Sequence, residues 1–198
     1  MWGGLIFIVI IAVAVIYVIG LFNGLVGKRN AAKNGFSQID VQLQRRHDLI
    51  PNLVEATRAY MSHEKDTLER VISARDAAVQ AQRNLASSGA YNSPELVDKL
   101  SLAENKLSNS LAQFSAVMEQ YPDLKADSVV KDLMEELNTT ENRVCFARQA
   151  YNDSVMFYNN ACEMFPSNFV AGAFSFKPMK QLALDDPKAV RPAVRIRL

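Results

Sequence analysis

The sequence lacks the residue patterns on which the common enzyme and metal-binding classes depend. It has only two histidines, His47 and His63, and they are not four residues apart, so the zinc-binding helix motif is absent. There is no paired-cysteine zinc spacing, no glycine-rich phosphate loop and no nucleophile elbow. The carboxylates are spread along the chain, without the repeated Glu-x-x-His of di-iron bundles. We therefore expect no enzymatic activity, no catalytic residue, no metal and no other cofactor.

Residues that break helices are scarce as well. The 198 residues include eight glycines and seven prolines, most of them near the N-terminus, near residues 89–94 or after residue 165. The stretches between these positions can form long helices. Cys145 and Cys162 share one such stretch, where ~25 Å of helix would separate them, too far for a disulfide. We expect buried free thiols, with an intermolecular bridge or a reactive thiol as the alternative.

Charge is absent from the apolar run between Trp2 and Phe22. As a helix this run would rise about 32 Å, which matches the ~30 Å hydrocarbon core of a bilayer. No Lys or Arg precedes the run and no small-residue cleavage site follows it, so a cleaved signal peptide is disfavoured. We predict a single-pass transmembrane anchor over residues 1–27, with the lipid bilayer as its partner.

The charges beside this run predict its orientation. Lys28, Arg29 and Lys33 follow the span, and only the amino terminus precedes it. By the positive-inside rule we expect the N-terminus outside and the bulk of the chain in the cytoplasm. A domain on the outer side of the membrane is the alternative.

The chain as a whole has no excess of either charge. A net charge of +1 gives no basic surface for nucleic acid, so we expect no nucleic-acid partner. The exception is the end of the chain, because Pro187 to Leu198 holds four basic residues and no acidic one. We assign residues 179–198 to a basic C-terminal tail. It is expected to be solvated, with contact to anionic lipid as the alternative.

Heptad spacing of apolar residues between residues 28 and 178 predicts the fold. The pattern indicates a helix that starts near Phe36 and ends near Ser88, a second from Pro94 to Tyr121, and a third from Asp127 to Phe165. Short loops make consecutive helices antiparallel neighbours. The predicted fold class is all-α, an N-terminal transmembrane helix followed by an antiparallel bundle of long helices with coiled-coil-like seams.

The pattern leaves open the course of the first helical stretch and of the segment after Pro166. Pro51 lies inside the first helical stretch, where it predicts a kink or a restart capped by Asp48. A straight helix over residues 28–88 would also be longer than its partners, so we expect a break near Pro51 or near Ser62 and His63, or a stalk. After Pro166 the apolar residues Phe169, Val170, Phe174 and Phe176 are expected to pack back on the bundle.

Polar side chains on or beside the apolar stripes are the candidate functional residues. Burying such groups is unfavourable unless they are paired. One interpretation is that Arg46 or Arg148 pairs with a carboxylate on a facing helix and fixes the helix register. The other is a binding surface for a partner or for a second copy. The set consists of Asp40, Arg46, Asp48, Asn52, Glu55, Glu141, Arg148, Tyr151, Asn152, Tyr158 and Asn159.

Some of these residues also carry a resemblance to a known family. The run from Phe36 to Glu55, FSQIDVQLQRRHDLIPNLVE, closely resembles the signature of the bacterial LemA family. Further similar segments, in the same order and spacing, are Tyr121–Ala126 and Phe165–Asn168. The resemblance covers roughly residues 20–178. It departs from the family at Gly35 and Phe36, where a small residue and Trp are usual.

The resemblance implies an N-terminally anchored envelope protein with an antiparallel four-helix bundle and no established enzymatic activity. Family members are often encoded beside a membrane metalloprotease, and one branch takes part in building magnetosome membranes. Our leading hypothesis is a non-enzymatic scaffold or adaptor of the bacterial cell envelope that acts through helix-face contacts and forms a homo-oligomer. The alternatives are an accessory or regulator of a membrane protease, and a bundle that binds a small molecule or a metal.

Overall fold

The computed structural model describes residues 2–88 and 93–183. Within these ranges the secondary structure is helical, so the predicted all-α class is confirmed. Four of the helices are long, and two are short segments that flank the last long one. In chain order the helices of the described residues are α1 (Trp2–Thr57), α2 (Lys65–Ser88), α3 (Pro94–Met118), α4 (Pro122–Ala126), α5 (Ser128–Glu163) and α6 (Ser167–Ala173).

The long helices form an antiparallel bundle. α1 packs along α5, α2 packs along α3, and α1 also contacts α2. One cluster of buried side chains, around Leu53 and Phe114, fills the end of the bundle that is far from the N-terminal run. A second cluster, around Phe36 and Tyr151, fills the nearer half. The predicted antiparallel bundle of long helices is therefore confirmed.

The N-terminal part of α1 projects from the bundle. Its large apolar side chains between Trp2 and Ile19 are exposed, and the helix meets the rest of the protein only from about Leu21 onward. Among the described residues, α1 is the one helix long and apolar enough to cross a membrane. The predicted anchor and the first bundle helix are thus one continuous helix, with no loop between them.

α1 passes through Pro51 without a restart, so the predicted restart there is wrong. Pro51 has no N–H, which leaves the carbonyl of His47 without its helical partner. The side chain of Arg75 on α2 supplies the missing donor, with its Nε 3.1 Å from that carbonyl oxygen. Asp48 does not cap a new helix and instead accepts a hydrogen bond from Gln44 at 2.8 Å. A long-range contact therefore satisfies the group that the local sequence leaves open.

The first helical stretch breaks after Thr57 instead, close to the second predicted position. The hydroxyl of Thr57 donates to the carbonyl of Leu53 at 2.9 Å, and residues 58–64 form turns before α2 begins at Lys65. This break lets α2 fold back along the bundle. The stalk alternative is wrong for residues 28–88, because the break divides this stretch into two helices that both pack in the bundle.

The two ends of α5 differ in how well the sequence predicts them. Its start is confirmed, because Asp127 caps the helix by accepting hydrogen bonds from the backbone N–H groups of Val129 and Val130 at 2.9 and 3.2 Å. The one-turn helix α4 before it was not predicted. At the other end α5 stops at Glu163, two residues before the predicted end at Phe165, which is 79% exposed.

The segment after Pro166 packs on the bundle through one side only. α6 places Val170 and Ala171 against Leu25 of α1, and Phe176 is partly buried beside them. Phe174 keeps more than half of its surface exposed, but its ring contacts that of Phe22 on α1, with 4.9 Å between centroids. Phe169 is 69% exposed and does not join this cluster. The expectation is therefore confirmed for Val170, Phe174 and Phe176 and wrong for Phe169.

Gly35 marks a backbone contact between α1 and α5. A Cβ atom at this position would lie 3.1 Å from the Cα of Tyr151, closer than most such contacts allow. The small residue therefore lets the two helices approach, and Phe36 beside it packs edge-on against the ring of Tyr151 with 5.7 Å between ring centroids. Gly35 and Phe36 stand where the family usually has a small residue and Trp, so a small residue still precedes a large aromatic one.

Candidate functional site

A charged network lies in the middle of the bundle. Arg46 on α1 forms an ion pair with Glu104 on α3, and both side chains are almost completely buried. His47, also buried, places its Nε2 3.0 Å from the other carboxylate oxygen of Glu104. Because a carboxylate only accepts hydrogen bonds, this imidazole nitrogen carries the proton. One buried carboxylate thus joins two consecutive residues of α1 to α3.

The network continues from Arg46 toward the surface. Its Nη1 lies 3.4 Å from the hydroxyl of Ser108 and 3.4 Å from a carboxylate oxygen of Glu141 on α5, which is partly exposed. Three helices therefore meet on one guanidinium group. The Nε of Arg46 and the Nδ1 of His47 have no hydrogen-bond partner among the described residues, so the network is not fully satisfied.

The surroundings of Glu104 lower its pKa. Burial of the carboxylate opposes this, since desolvation disfavours the charged form and is the largest single effect. The hydrogen bond from His47 and the charge of Arg46 together outweigh it, so the pKa falls below its ordinary value of 4.5. Glu104 is therefore a carboxylate at neutral pH, and the ion pair with Arg46 is intact there.

This lowered pKa predicts an acid-dependent stability. The unfolded chain takes up the proton of Glu104 at a higher pH than the folded chain does, so its stabilising contribution is complete above pH 4.5 and is lost as the pH falls through the folded pKa. We expect Glu104→Gln to remove this part of the acid dependence. Urea unfolding from pH 7 to pH 3 measures it. A Gln variant that loses as much stability with acid as the wild type would contradict the assignment.

Sequence reasoning missed Glu104, although a signal exists. The buried residues of α3 alternate in steps of three and four along the helix, and Glu104 occupies one of these steps between Leu100 and Leu107. Ala103, the apolar residue beside it, is only partly buried. A carboxylate at a core position of a heptad, with an arginine at a core position elsewhere, is the pattern that would have revealed the pair.

The remaining predicted polar residues divide into separate local contacts. The side chain of Asp40 accepts a hydrogen bond from buried Gln82 on α2 at 2.8 Å. Asn52 is exposed, and Glu55 is exposed with an ion pair to Arg58 at 3.4 Å. Arg148 is partly buried and contacts the sulfur of Cys145 at 3.7 Å. These residues do not join the Arg46 network.

The four polar residues near the end of α5 hold a segment of the chain that we call the strap, residues 177–182. Asn159 donates to the carbonyl of Met179 at 2.8 Å and accepts from the N–H of the same residue at 2.9 Å. One heptad earlier, Asn152 makes the same pair of bonds with Leu182, at 3.2 and 2.9 Å. Two amide side chains thus bind an extended backbone in steps of three residues.

The two tyrosines alternate with the asparagines and complete the contact. The hydroxyl of Tyr151 donates to the carbonyl of Lys180 at 2.8 Å, and that of Tyr158 donates to the carbonyl of Lys177 at 2.9 Å. Burial raises the pKa of each tyrosine to about 12, so both remain protonated donors at physiological pH. The side chains of α5 therefore hold the strap along its length by hydrogen bonds to its backbone, which do not depend on the side chains of the strap.

Apolar and ionic contacts anchor the strap between α5 and α3. Met179 and Leu182 are buried in the same cluster as Tyr151, and the ammonium group of Lys180 lies 2.6 Å from a carboxylate oxygen of Asp98. Residues 179–182, which we had assigned to the basic tail, are therefore part of the packed bundle. The rest of that predicted tail, residues 184–198, lies outside the described residues.

The two sites are built from different kinds of groups. The charged network is enclosed by helices, and the strap contact is made of amides, hydroxyls and backbone groups. Within residues 2–88 and 93–183, no three His, Cys, Asp or Glu side chains are grouped closely enough to hold a metal ion. The geometry shows a charged contact that joins three helices at one level and an extended segment of the same chain bound to α5 at another.

Comparison with known proteins identifies relatives of this chain. The magnetosome protein MamQ of Magnetospirillum gryphiswaldense is 26% identical over 169 residues, which cover 79% of this chain and 62% of MamQ. MamQ 1 and MamQ 2 of Paramagnetospirillum magneticum are each 26% identical over 156 residues, which cover 71% of this chain and 57% of each relative. The chain thus spans about six tenths of the length of these relatives. The sequence pattern of the LemA family matches residues 35–196, most of the chain, and the protein therefore belongs to the LemA family.

Proposed function

We propose that this protein is a non-enzymatic scaffold of the bacterial cell envelope, anchored in the cytoplasmic membrane by α1 and assembled through the outer side of α5. The observation that carries the proposal is a pair of exposed rings on that side. Phe146 is 71% exposed and Phe157 is 58% exposed. Eleven residues apart, they face the same direction about 16 Å from each other. Large exposed aromatic side chains are typical of contact surfaces in oligomers and complexes.

The internal contacts support the choice of this surface. Arg46 and Glu141, which we had considered for contacts between copies, pair with each other, and the polar residues near the end of α5 hold the strap. Phe146 and Phe157, on the opposite side of α5, take part in neither the charged network nor the contact with the strap. Anchored copies are confined to two dimensions, which raises their effective concentration and favours weak lateral contacts. We therefore propose a homo-oligomer formed through Phe146 and Phe157.

The relatives are consistent with this kind of role. MamQ is named as a magnetosome protein. A scaffold that organises proteins at a membrane surface needs an anchor, a rigid body and a contact surface, and this chain offers one of each.

Mass measurement of the detergent-solubilised protein tests the assembly. We expect the wild type to be oligomeric, and the double variant Phe146→Ser with Phe157→Ser to shift toward the monomer by at least tenfold in dissociation constant. The matched control is Leu102→Ser, which removes an equally exposed apolar side chain from α3. A wild type that is monomeric at every concentration, or a control that dissociates as readily, would remove the proposed surface.

Purification of the same detergent extract separates the scaffold from an accessory of a membrane protease. A scaffold of copies gives the chain alone at fixed stoichiometry. A membrane metalloprotease that co-purifies with the wild type but not with the Phe146 and Phe157 variant would favour the accessory role through the same surface.

We further propose that the bundle lies in the cytoplasm, because Lys28, Arg29 and Lys33 follow the span. Ser87→Cys, at an exposed position of α2, gives a reporter once Cys145 and Cys162 are replaced by serine. An impermeant thiol reagent is expected to label this cysteine only after the inner membrane is opened. Labelling in cells with a permeable outer membrane and an intact inner membrane would place the bundle on the outer side.

A further inference from the structure

The end of the bundle nearest the anchor carries an aromatic surface that the scaffold proposal does not use. Phe165, Phe169 and Phe174, together the aromatic foot, are 79%, 69% and 57% exposed. The rings of Phe165 and Phe169 are in edge contact, with 5.9 Å between their centroids. Such a cluster is far more exposed apolar surface than a short helix usually presents to water, and it marks a site of interaction.

The position of the aromatic foot is fixed by contacts with α1. The ring of Phe22, the last residue of the apolar run, lies 4.9 Å from the ring of Phe174 and 5.5 Å from that of Phe176, measured between centroids. One turn later, Leu25 packs on Val170 and Ala171 of α6. The aromatic foot therefore lies beside the residues at which α1 leaves the hydrocarbon core.

The polarity of this segment changes at the same level. Residues 164–176 contain no charged side chain and are bordered by Glu163 and Lys177. Above Phe176 the guanidinium of Arg29 lies 5.1 Å from the ring centroid, and Lys28 is exposed next to it. Uncharged aromatic residues below and cations above match the order of acyl chains and phosphate groups at a bilayer surface.

We propose that the aromatic foot is a second membrane contact, in which these three rings enter the boundary between acyl chains and headgroups in the leaflet from which α1 emerges. It rests on the proposed anchoring by α1 and adds a second attachment point. α6 packs on α1 through Val170 and Ala171, while Phe165, Phe169 and Phe174 keep most of their surface exposed. The bundle is thus held against the bilayer at two places. Its rotation about the axis of α1 is thereby restricted.

Fluorescence of the full chain in vesicles tests this contact. Trp2 is the only tryptophan, so Trp2→Phe gives a background into which Phe169→Trp introduces one reporter. In vesicles of phosphatidylethanolamine and phosphatidylglycerol we expect blue-shifted emission, most of which is quenched when the acyl chains carry bromine. The matched control is Phe146→Trp in the same background, an equally exposed position on α5, whose emission brominated lipid should leave nearly unchanged.

The outcomes separate the possible occupants. Red-shifted, unquenched emission from Phe169→Trp would show a solvated surface and overturn the proposal. Blue-shifted emission that bromine does not quench would show a protein partner or a second copy on these rings, which also overturns it. Flotation of the same vesicles reports anchoring by α1 independently, since Phe165→Ser, Phe169→Ser and Phe174→Ser combined should still float. Failure of the anchor would appear as loss of flotation in every variant.

Discussion

Replacing Arg46 by methionine is expected to lower the free energy of unfolding by about 3–5 kcal/mol. The change leaves Glu104 as a buried carboxylate without its cation, with only the hydrogen bond from His47 to compensate. Desolvation of that uncompensated charge is the main loss, and the volume of the removed guanidinium is a smaller one. Urea unfolding at pH 7, followed by circular dichroism, measures the difference.

The adjacent residue gives a matched control. Arg45 also forms an ion pair, with Glu136, but both side chains are substantially exposed. Arg45→Met is therefore expected to lower the free energy of unfolding by no more than about 1 kcal/mol. Combining Arg46→Met with Glu104→Leu should recover much of the lost stability, because no charge is then buried alone. If Arg46→Met and Arg45→Met lowered the free energy of unfolding equally, the buried ion pair of Arg46 would stabilise the fold no more than the exposed pair of Arg45.

Replacing Asn152 and Asn159 by leucine is expected to release the strap without unfolding the bundle. Four hydrogen bonds to the backbone of Met179 and Leu182 are lost. At about 1 kcal/mol each, opening of the strap becomes easier by about 2–4 kcal/mol, or on the order of a hundredfold. Amide exchange of Met179 and Leu182 should accelerate by that factor, and trypsin should cleave after Lys180 under native conditions.

Asn160→Leu is the control for the strap variant. Asn160 is exposed on α5 beside Asn159, and its substitution changes helix propensity and apolar surface in the same way. Exchange in the strap should be unchanged in this variant. If the double variant instead exchanges amides throughout α5 at the same rate as in the strap, the asparagines support the whole bundle and the strap is not a separate unit.

The parts of the fold that the sequence predicts are those with a period or another local pattern. The heptad of α5 repeats over many turns, so its helical state and its buried side follow from spacing alone. The apolar run of α1 has no period, but its length and its lack of charge are enough to predict a helix that can cross a bilayer. The Asp127 cap is also local, since a carboxylate two residues before a free N–H is enough to define it. By contrast, helix continuity at Pro51 depends on Arg75, a residue on another helix, and no local pattern contains that information.

The candidate site was predicted in part for the same reason. Tyr151, Asn152, Tyr158 and Asn159 were predicted as candidate residues because they lie on or beside the apolar stripe of α5. Their partner is the strap, an extended segment with no helical or strand period, so its place in the bundle could not be read from the sequence. Glu104 was missed for another reason. A carboxylate in an apolar stripe looks like an interruption of the pattern, and its partner Arg46 lies on a different helix.

The continuity of α1 has a mechanical consequence. The helix runs from Trp2 to Thr57 without a break, about 84 Å at 1.5 Å per residue. A span that tilts to match a thinner bilayer must therefore swing the far end of the bundle with it, because no hinge lies between them. A change in tilt of about 10° carries that end by about 10–15 Å. A change in bilayer thickness would therefore move α4 and the turn over residues 58–64, although both lie far from the lipid.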